Sequence, residues 1–365
     1  MPHDVSIAPG SKLLEQNILF TGSVPGGSAE EVFRTLAGSV GARALAYPDG
    51  EIDPRRAFVS GLQAVFGQCE DLDEIPSGFP EGTPERAMFT PCFRVKKGVS
   101  KVRLEGLLPY AESAIESYAV FKRLRDEGTI AAGVRYQIAV VSAYCAVMFW
   151  FPHVEDWDVM HDAWTRALQV EYERMLEVIP AEDLAVQIDY AMEPGLLNGR
   201  HAEELDWVTQ DMVGEAAFAR CTSREYLAPH FVGLPETVLA GYHICLGTFP
   251  AFPRVPIDDI GFIVDATNAL AVNAGRRIDF FHLPVMPDAG DNYYAPLERL
   301  DAAGAAIYLG VECDDGQEAM ARRVSHARKF MGERFGVAHY CGYAWRAERL
   351  GELLGVLRDG ADAAR

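Results

Sequence analysis

Short apolar runs alternate along the whole chain with longer stretches in which apolar residues recur every three or four positions. Runs of four to eight fit strands, and the longer period fits amphipathic helices. The pattern predicts strands at "QNILFTG", "ARALAYPDG", "GVRYQIAVV", "DLAVQID", "TVLAGYHIC", "RIDFFHLPV", "AAIYLGVE" and "FGVAHYC". After the first comes "SAEEVFRTLAGSVG", where Ser28 and Glu31 are spaced as a capping box and Val32, Phe33, Leu36 and Ala37 form one face. "PRRAFVSGLQAVFG" follows the second strand, with Pro54 suited to a first helical turn. "PYAESAIESYAVFKRLRDEG" predicts a helix closed by Gly128, and further helices are expected at about 157–179, 202–220, 258–274, 316–335 and 346–358.

Eight strands in βα order without a compositional break predict an α/β fold, a single-domain (β/α)8 TIM barrel over residues 1–365. Its core would span about 16–358, with a loop or hairpin insertion at about 82–103. A doubly wound sheet is the alternative, but no Gly-x-Gly-x-x-Gly follows a strand.

Composition narrows the classes. The 365 residues are 49% hydrophobic and 24% charged, as in soluble globular enzymes, so disorder is expected only at the aperiodic ends "MPHDVSIAPGSK" and "DGADAAR". A net charge of −20 disfavours nucleic acid, and the densest basic stretch, "KKGVSKVR", reads as a solvated loop or hairpin. No secretory signal is visible, and the longest apolar run, "IAVVSAYCAVMFWF", is about four residues short of a membrane span. No membrane partner is expected. Seven scattered cysteines (69, 92, 145, 221, 245, 313, 341) argue for free thiols in a reducing, cytoplasmic compartment. A homo-oligomer is left open.

Candidate chemistry sits at strand ends, where barrels collect catalytic groups. In the fifth strand His243 and Cys245 are two apart and face one way. Alone, the pair is as consistent with core packing as with a metal. Cys341, ending the eighth strand on the same rim, completes an imidazole and two thiols, the preference of tetrahedral zinc with a fourth position open. His282 on the sixth strand is a candidate further ligand or acid/base, with a structural role equally consistent. His339 shares the face of Cys341 but lies deeper. The fourth strand contributes Asp189 and Glu193, each of which could instead cap a helix or brace a loop. "TGSVPGGSAEE" offers Ser23 and backbone amides for an anion, and Glu51 is the candidate in "YPDGEIDPRR", whose other residues read as a turn.

The segments "TGSVPGGSAEEVF", "QIDYAMEPG", "YHICLG" and "FGVAHYCGYAWR", in this order, resemble the strand-end motifs of the cobalamin-independent methionine synthase catalytic barrel and its single-barrel relatives, among them zinc-dependent epoxyalkane:coenzyme M transferase. The likeness runs over about residues 16–346. It implies zinc on His243, Cys245 and Cys341, a small thiol substrate and an alkyl donor. Ser23, Glu51 and Asp189 match positions that hold the amino-acid part of homocysteine in that family. Where the synthase has a glutamate ligand on strand six, this chain offers His282 or Asp265. The synthase's duplicated first half and the histidine of its strand seven have no counterpart. The expected function is therefore zinc-dependent methyl or alkyl transfer to or from a small thiol, with Asp189 and His282 in catalytic roles and Glu193 assisting in substrate binding. A metal-free lyase on a uroporphyrinogen decarboxylase-like barrel and a non-catalytic binding barrel are the alternatives.

Overall fold

The computed structural model describes residues 12–249 and 251–364. Eight parallel strands follow one another around a ring: β1 (Ile18–Leu19), β2 (Ala46–Pro48), β3 (Arg135–Val141), β4 (Leu184–Tyr190), β5 (Leu239–Ile244), β6 (Phe280–Pro284), β7 (Ala306–Glu312) and β8 (Gly336–His339). β8 pairs with β1, and the seam between β1 and β2 is closed by a bridge between Ile18 and Ala44 and by the Leu45 N–H donating to the Ile18 carbonyl at 2.9 Å. This is the predicted (β/α)8 barrel, and each predicted strand is present.

Six helices longer than ten residues pack outside among the described residues: α1 (Ala29–Ser39), α2 (Tyr110–Asp126), α3 (Trp157–Leu176), α4 (Gly261–Asn273), α5 (Gln317–Met331) and α6 (Leu350–Ala363). At the start of α1 the Ser28 hydroxyl accepts from the Glu31 N–H, and the Glu31 carboxylate accepts from Gly27 rather than from Ser28 itself. Val32, Phe33 and Leu36 are buried as predicted. Phe33 meets Phe121 of α2 and Tyr136 of β3 edge-on, contacts that add to the roughly 1.5–3 kcal/mol of each buried large apolar side chain.

Inside the ring, Leu19, Leu45, Ala185, Leu239, Phe280, Tyr308 and Ala338 plug one end, with Leu13 and Leu14 packed against them. Gly241 of β5 makes room for this plug, since a Cβ there would lie 2.3 Å from the Phe280 ring. Above it is a polar layer: Gln137 donates to the Phe20 carbonyl at 2.7 Å, and Gln187 donates to Asp189 at 2.7 Å and to the Thr21 carbonyl at 3.1 Å. In register, Asp189 pairs with His243 and His243 with His282, so three candidate side chains stand at one height near the carboxyl ends of adjacent strands.

Three elements differ from expectation. The helix expected at 54–67 is a kinked 3-10 stretch, Pro54–Leu62, followed by a short helix, Gln63–Gly67. Its break at Phe58 (φ 50°) accompanies a tether: Arg55 is locked to Asp49 and Asp53, and the Val59 carbonyl accepts from the Trp150 indole. The helix expected at 202–220 is divided into Arg200–Glu204, Gln210–Met212 and Glu215–Cys221, because the Trp207 ring packs on Phe79 and Gly214 (φ 64°) turns the chain. In the segment 82–103, Cys92–Val95 forms an antiparallel hairpin with Leu72–Ile75, a strand that the insertion bounds had omitted.

Of the two ends expected to be disordered, the first lies outside the described residues except Lys12. The last is helical to Ala363, held by Asn17 donating to the Ala361 carbonyl at 2.7 Å. No helix among the described residues is long and apolar enough to cross a membrane.

Candidate metal centre and substrate pocket

The β-strand period of two that clears space at Gly241 places His243 on the inward face of β5 and Cys245 just past its end, where the Cys245 N–H still donates to the Tyr190 carbonyl of β4 at 3.1 Å. Cys341 follows β8, whose pairing with β7 shifts by a residue between Val337 and His339. Its Sγ lies 3.8 Å from the Cys245 Sγ and 3.8 Å from the His243 Nε2. All three ligand atoms fall within 4.8 Å of one another; His243 and Cys245 are buried and Cys341 is half-buried.

This donor set fits zinc. Two thiolates at about 2.3 Å from a tetrahedral ion stand about 3.8 Å apart, whereas a disulfide would need about 2.05 Å. Without a cation the site resists charge. Contact with Cys245 and then burial push the Cys341 thiol well above its ordinary range, and burial and the neighbouring His282 and His339 hold His243 well below its own. A bound divalent ion reverses the thiol's preference by stabilising the thiolate.

His282 is fully buried behind His243. Its Nδ1 lies 2.8 Å from the His243 Nδ1 and its Nε2 lies 3.0 Å from the His339 carbonyl, so both ring nitrogens are engaged inside the barrel wall. Burial lowers its pKa to about 3, against the opposing pull of the His339 and Ile244 carbonyls. Asp265, the other candidate for the strand-six ligand, sits on α4 and pairs with Arg299, away from the centre.

A small pocket lined by Glu51, Arg55, Phe58, Leu62, Tyr110 and Asp189 among others lies close enough for Glu51 and Asp189 to interact electrostatically with Cys341, though none of the three candidate ligands lines it. Burial raises Glu51 to about 8, Arg55 working against it and Asp49 and Asp53 with it. Burial and the nearby Glu51 push Asp189 well above the carboxylate range, opposed by the hydrogen bond from Gln187, and Cys341 adds to the effect. Both shifts run in the same direction, toward the neutral acid. Glu51 sits at φ 53°, its N–H donating to the Asp49 side chain at 3.0 Å, and its carboxyl leans over Gly22, where a Cβ would come within 2.9 Å. Ser23 is next along. Its carbonyl accepts from the Tyr343 N–H at 2.7 Å, and its hydroxyl occupies the space beside Gly342 where a Cβ would lie 2.4 Å away. The first loop thereby touches the turn that presents Cys341.

Glu193 lies elsewhere. It is fully buried and accepts from the Ser142 hydroxyl at 2.5 Å and from the Tyr226 hydroxyl, bracing the chain after β3 and β4 without lining the pocket. A second cluster, Glu312, Asp314 and His339, borders the centre on the β7 side. Asp314 receives His339 at 3.1 Å, Arg346 at 2.6 Å and the Tyr340 hydroxyl at 2.9 Å, which hold its carboxylate low against the cost of burial. His339 also reaches the Cys341 carbonyl with its Nδ1 at 2.7 Å.

The barrel therefore unites His243, Cys245 and Cys341, sets Ser23, Glu51 and Asp189 around the same mouth, and leaves His282 and Glu193 behind it. Arg55 and Tyr110 are pocket residues that the sequence did not reveal. Arg55 looked like one of a turn's charges, and only its burial against Asp49 (2.8 Å) and Asp53 (2.6 Å) distinguishes it from Arg56.

No family model matches the sequence, and no curated protein matches it. Among solved structures it is similar to a vitamin-B12-independent methionine synthase from Shewanella sp. W3-18-1 in complex with selenomethionine, at 13% identity and TM-score 0.58 over 95% of this chain and 97% of that one. It is also similar to a protein from Listeria monocytogenes assigned as a vitamin-B12-independent methionine synthase, at 14% identity and TM-score 0.54 over 92% and 86% of the two chains. At these identities the likeness is one of fold: the chain has the barrel architecture of vitamin-B12-independent methionine synthase structures along almost its entire length.

Proposed function

We propose that this protein is a zinc-dependent methyl- or alkyltransferase acting on a small thiol. The observation that carries the reading is the meeting of His243 Nε2, Cys245 Sγ and Cys341 Sγ within 4.8 Å at the mouth of the barrel. The fold shared with methionine synthase structures supports it, and so does the order of the strand-end motifs. Bound there, zinc would supply a lowered thiol pKa, so that a nucleophilic sulfur exists at neutral pH.

The chain's own groups account for the rest. Asp189 and Glu51, both biased toward the neutral acid by burial, would ionise opposite a substrate ammonium, because an opposite charge within about 4–6 Å favours the carboxylate. Gln187 holds Asp189 in place with its side-chain amide at 2.7 Å. Phe58, Leu62 and Tyr110 cover the flank of the pocket and limit water beside the reacting sulfur. An alkyl donor would approach from the open side of the mouth.

Metal analysis tests the assignment. Purified protein should carry about one zinc per chain, and Cys245→Ser or Cys341→Ser should lose both metal and thiol alkylation while retaining the circular dichroism of the wild type. A folded C245S/C341S double variant that keeps its full zinc content refutes the metal centre. Activity that survives complete chelation would point instead to the metal-free lyase.

A further inference from the structure

We propose that His282 is a positioning residue that fixes the tautomer of His243, delivering its Nε2 to the metal as a free lone pair; this rests on the metal-centre reading above. Two imidazole nitrogens 2.8 Å apart share a single proton between them. Two backbone carbonyls, those of His339 and Ile244, pull on the His282 ring; of the two the His339 carbonyl holds the hydrogen-bond geometry, and it decides the direction from the side of the ring away from His243. There the ring Nε2 lies 3.0 Å from the His339 carbonyl, and a carbonyl can only accept. A neutral His282 has one ring proton, and it belongs on Nε2. Its Nδ1 is then bare and accepts from the His243 Nδ1–H. His243 in turn has no proton on Nε2, the atom 3.8 Å from the Cys341 Sγ.

The opposite assignment puts two lone pairs face to face at His282 and aims an N–H at the two thiols. The wall is shaped for the first arrangement. Gly310 of β7 leaves room for the ring, since a Cβ there would lie 2.9 Å from the His282 Nε2 and 2.9 Å from the Tyr340 Cα. The relay also joins the two ligand-bearing strands. It starts at a backbone carbonyl two residues before Cys341 and ends at the imidazole two residues before Cys245. Partners of this kind orient a metal-bound histidine, usually through a carboxylate or carbonyl; here a second imidazole occupies that place.

Two readouts test it. The first is zinc affinity by competition with a chromophoric chelator. His282→Ala should weaken binding about 10–100-fold, the usual cost of losing such a partner. His282→Asn keeps, in its Oδ1 at the position of Nδ1, an acceptor for the His243 N–H while giving up the His339 carbonyl contact, and should recover part of that loss. The second is the ring 15N spectrum of His243 in metal-free wild-type protein, which should show the proton on Nδ1. A proton on Nε2, or an H282A variant that binds zinc within about twofold of wild type, overturns the proposal. Wild-type protein that binds no zinc would sink the metal centre, while the 15N spectrum would still decide the tautomer. If H282A does not fold, the wild-type spectrum and H282N carry the test.

Discussion

Burial raises the Glu51 pKa to about 8 and pushes that of Asp189 well above the carboxylate range, with Glu51 adding to the second shift, and this has a consequence for stability. Between the ordinary carboxylate range and about 8, the folded protein binds a proton at Glu51 that the unfolded chain has released. Stability contributed by this group is therefore present at low pH and lost as pH rises through that window. Glu51→Gln should flatten the decline, leaving the variant on the order of 2 kcal/mol more stable relative to wild type at pH 8 than at pH 5 in urea unfolding. Identical pH slopes for the two proteins would contradict the assignment. Asp189→Asn should keep zinc yet lower kcat/KM for an amino-bearing thiol by roughly 10–100-fold, the worth of one charge-assisted hydrogen bond. A thiol without the amino group should be nearly indifferent to the change. At this scale the meeting of the three candidate ligands was legible because a strand's period and its carboxyl end fix where a side chain points. Arg55 was not, since its meaning comes from Asp49, which by itself resembles any turn aspartate. The sequence also could not show that His282 and Glu193 are spent on partners inside the wall, because contacts with the His339 carbonyl and with Ser142 depend on strands and loops meeting in space.

Loops after the strands carry the proposed site, and their contacts decide how well the candidate ligands are held. The turn bearing Cys341 leans on the first loop through Gly342 and Ser23, where no Cβ can be accommodated. Gly342→Ala must push these loops apart; overpacking of this kind costs about 1–3 kcal/mol. A lowered Tm together with zinc affinity reduced at least tenfold is expected, and a variant with unchanged metal affinity would show that the two loops are not coupled. The strands and long helices were legible from periodicity, as α1 and its cap illustrate. The helices that failed lie between the barrel and its mouth. At Phe58 the tether of Arg55 overrides local helical preference, and near residues 205–214 the burial of Trp207 and the turn at Gly214 do the same. The strand Leu72–Ile75 was missed because its middle residues, Asp73 and Glu74, are exposed, leaving only two apolar positions to signal it.

Curling the sheet into a ring is what brings Cys341 to the His243 and Cys245 pair: His243 and Cys341 are 98 residues apart in sequence, yet their candidate ligand atoms lie 3.8 Å from each other. An open sheet would have left β1 and β8 at or near separate edges. The barrel order was legible from the alternation of strands and helices, while the distances at the rim were not, since strand tilt and the irregular β7–β8 register set them. X-ray absorption at the zinc edge of metal-loaded protein measures the central claim directly. It should find two sulfur neighbours at about 2.3 Å and one imidazole nitrogen at about 2.0–2.1 Å, the remaining neighbour being exchangeable with added thiol. A shell of oxygen and nitrogen alone, unchanged by Cys245→Ser, would contradict it.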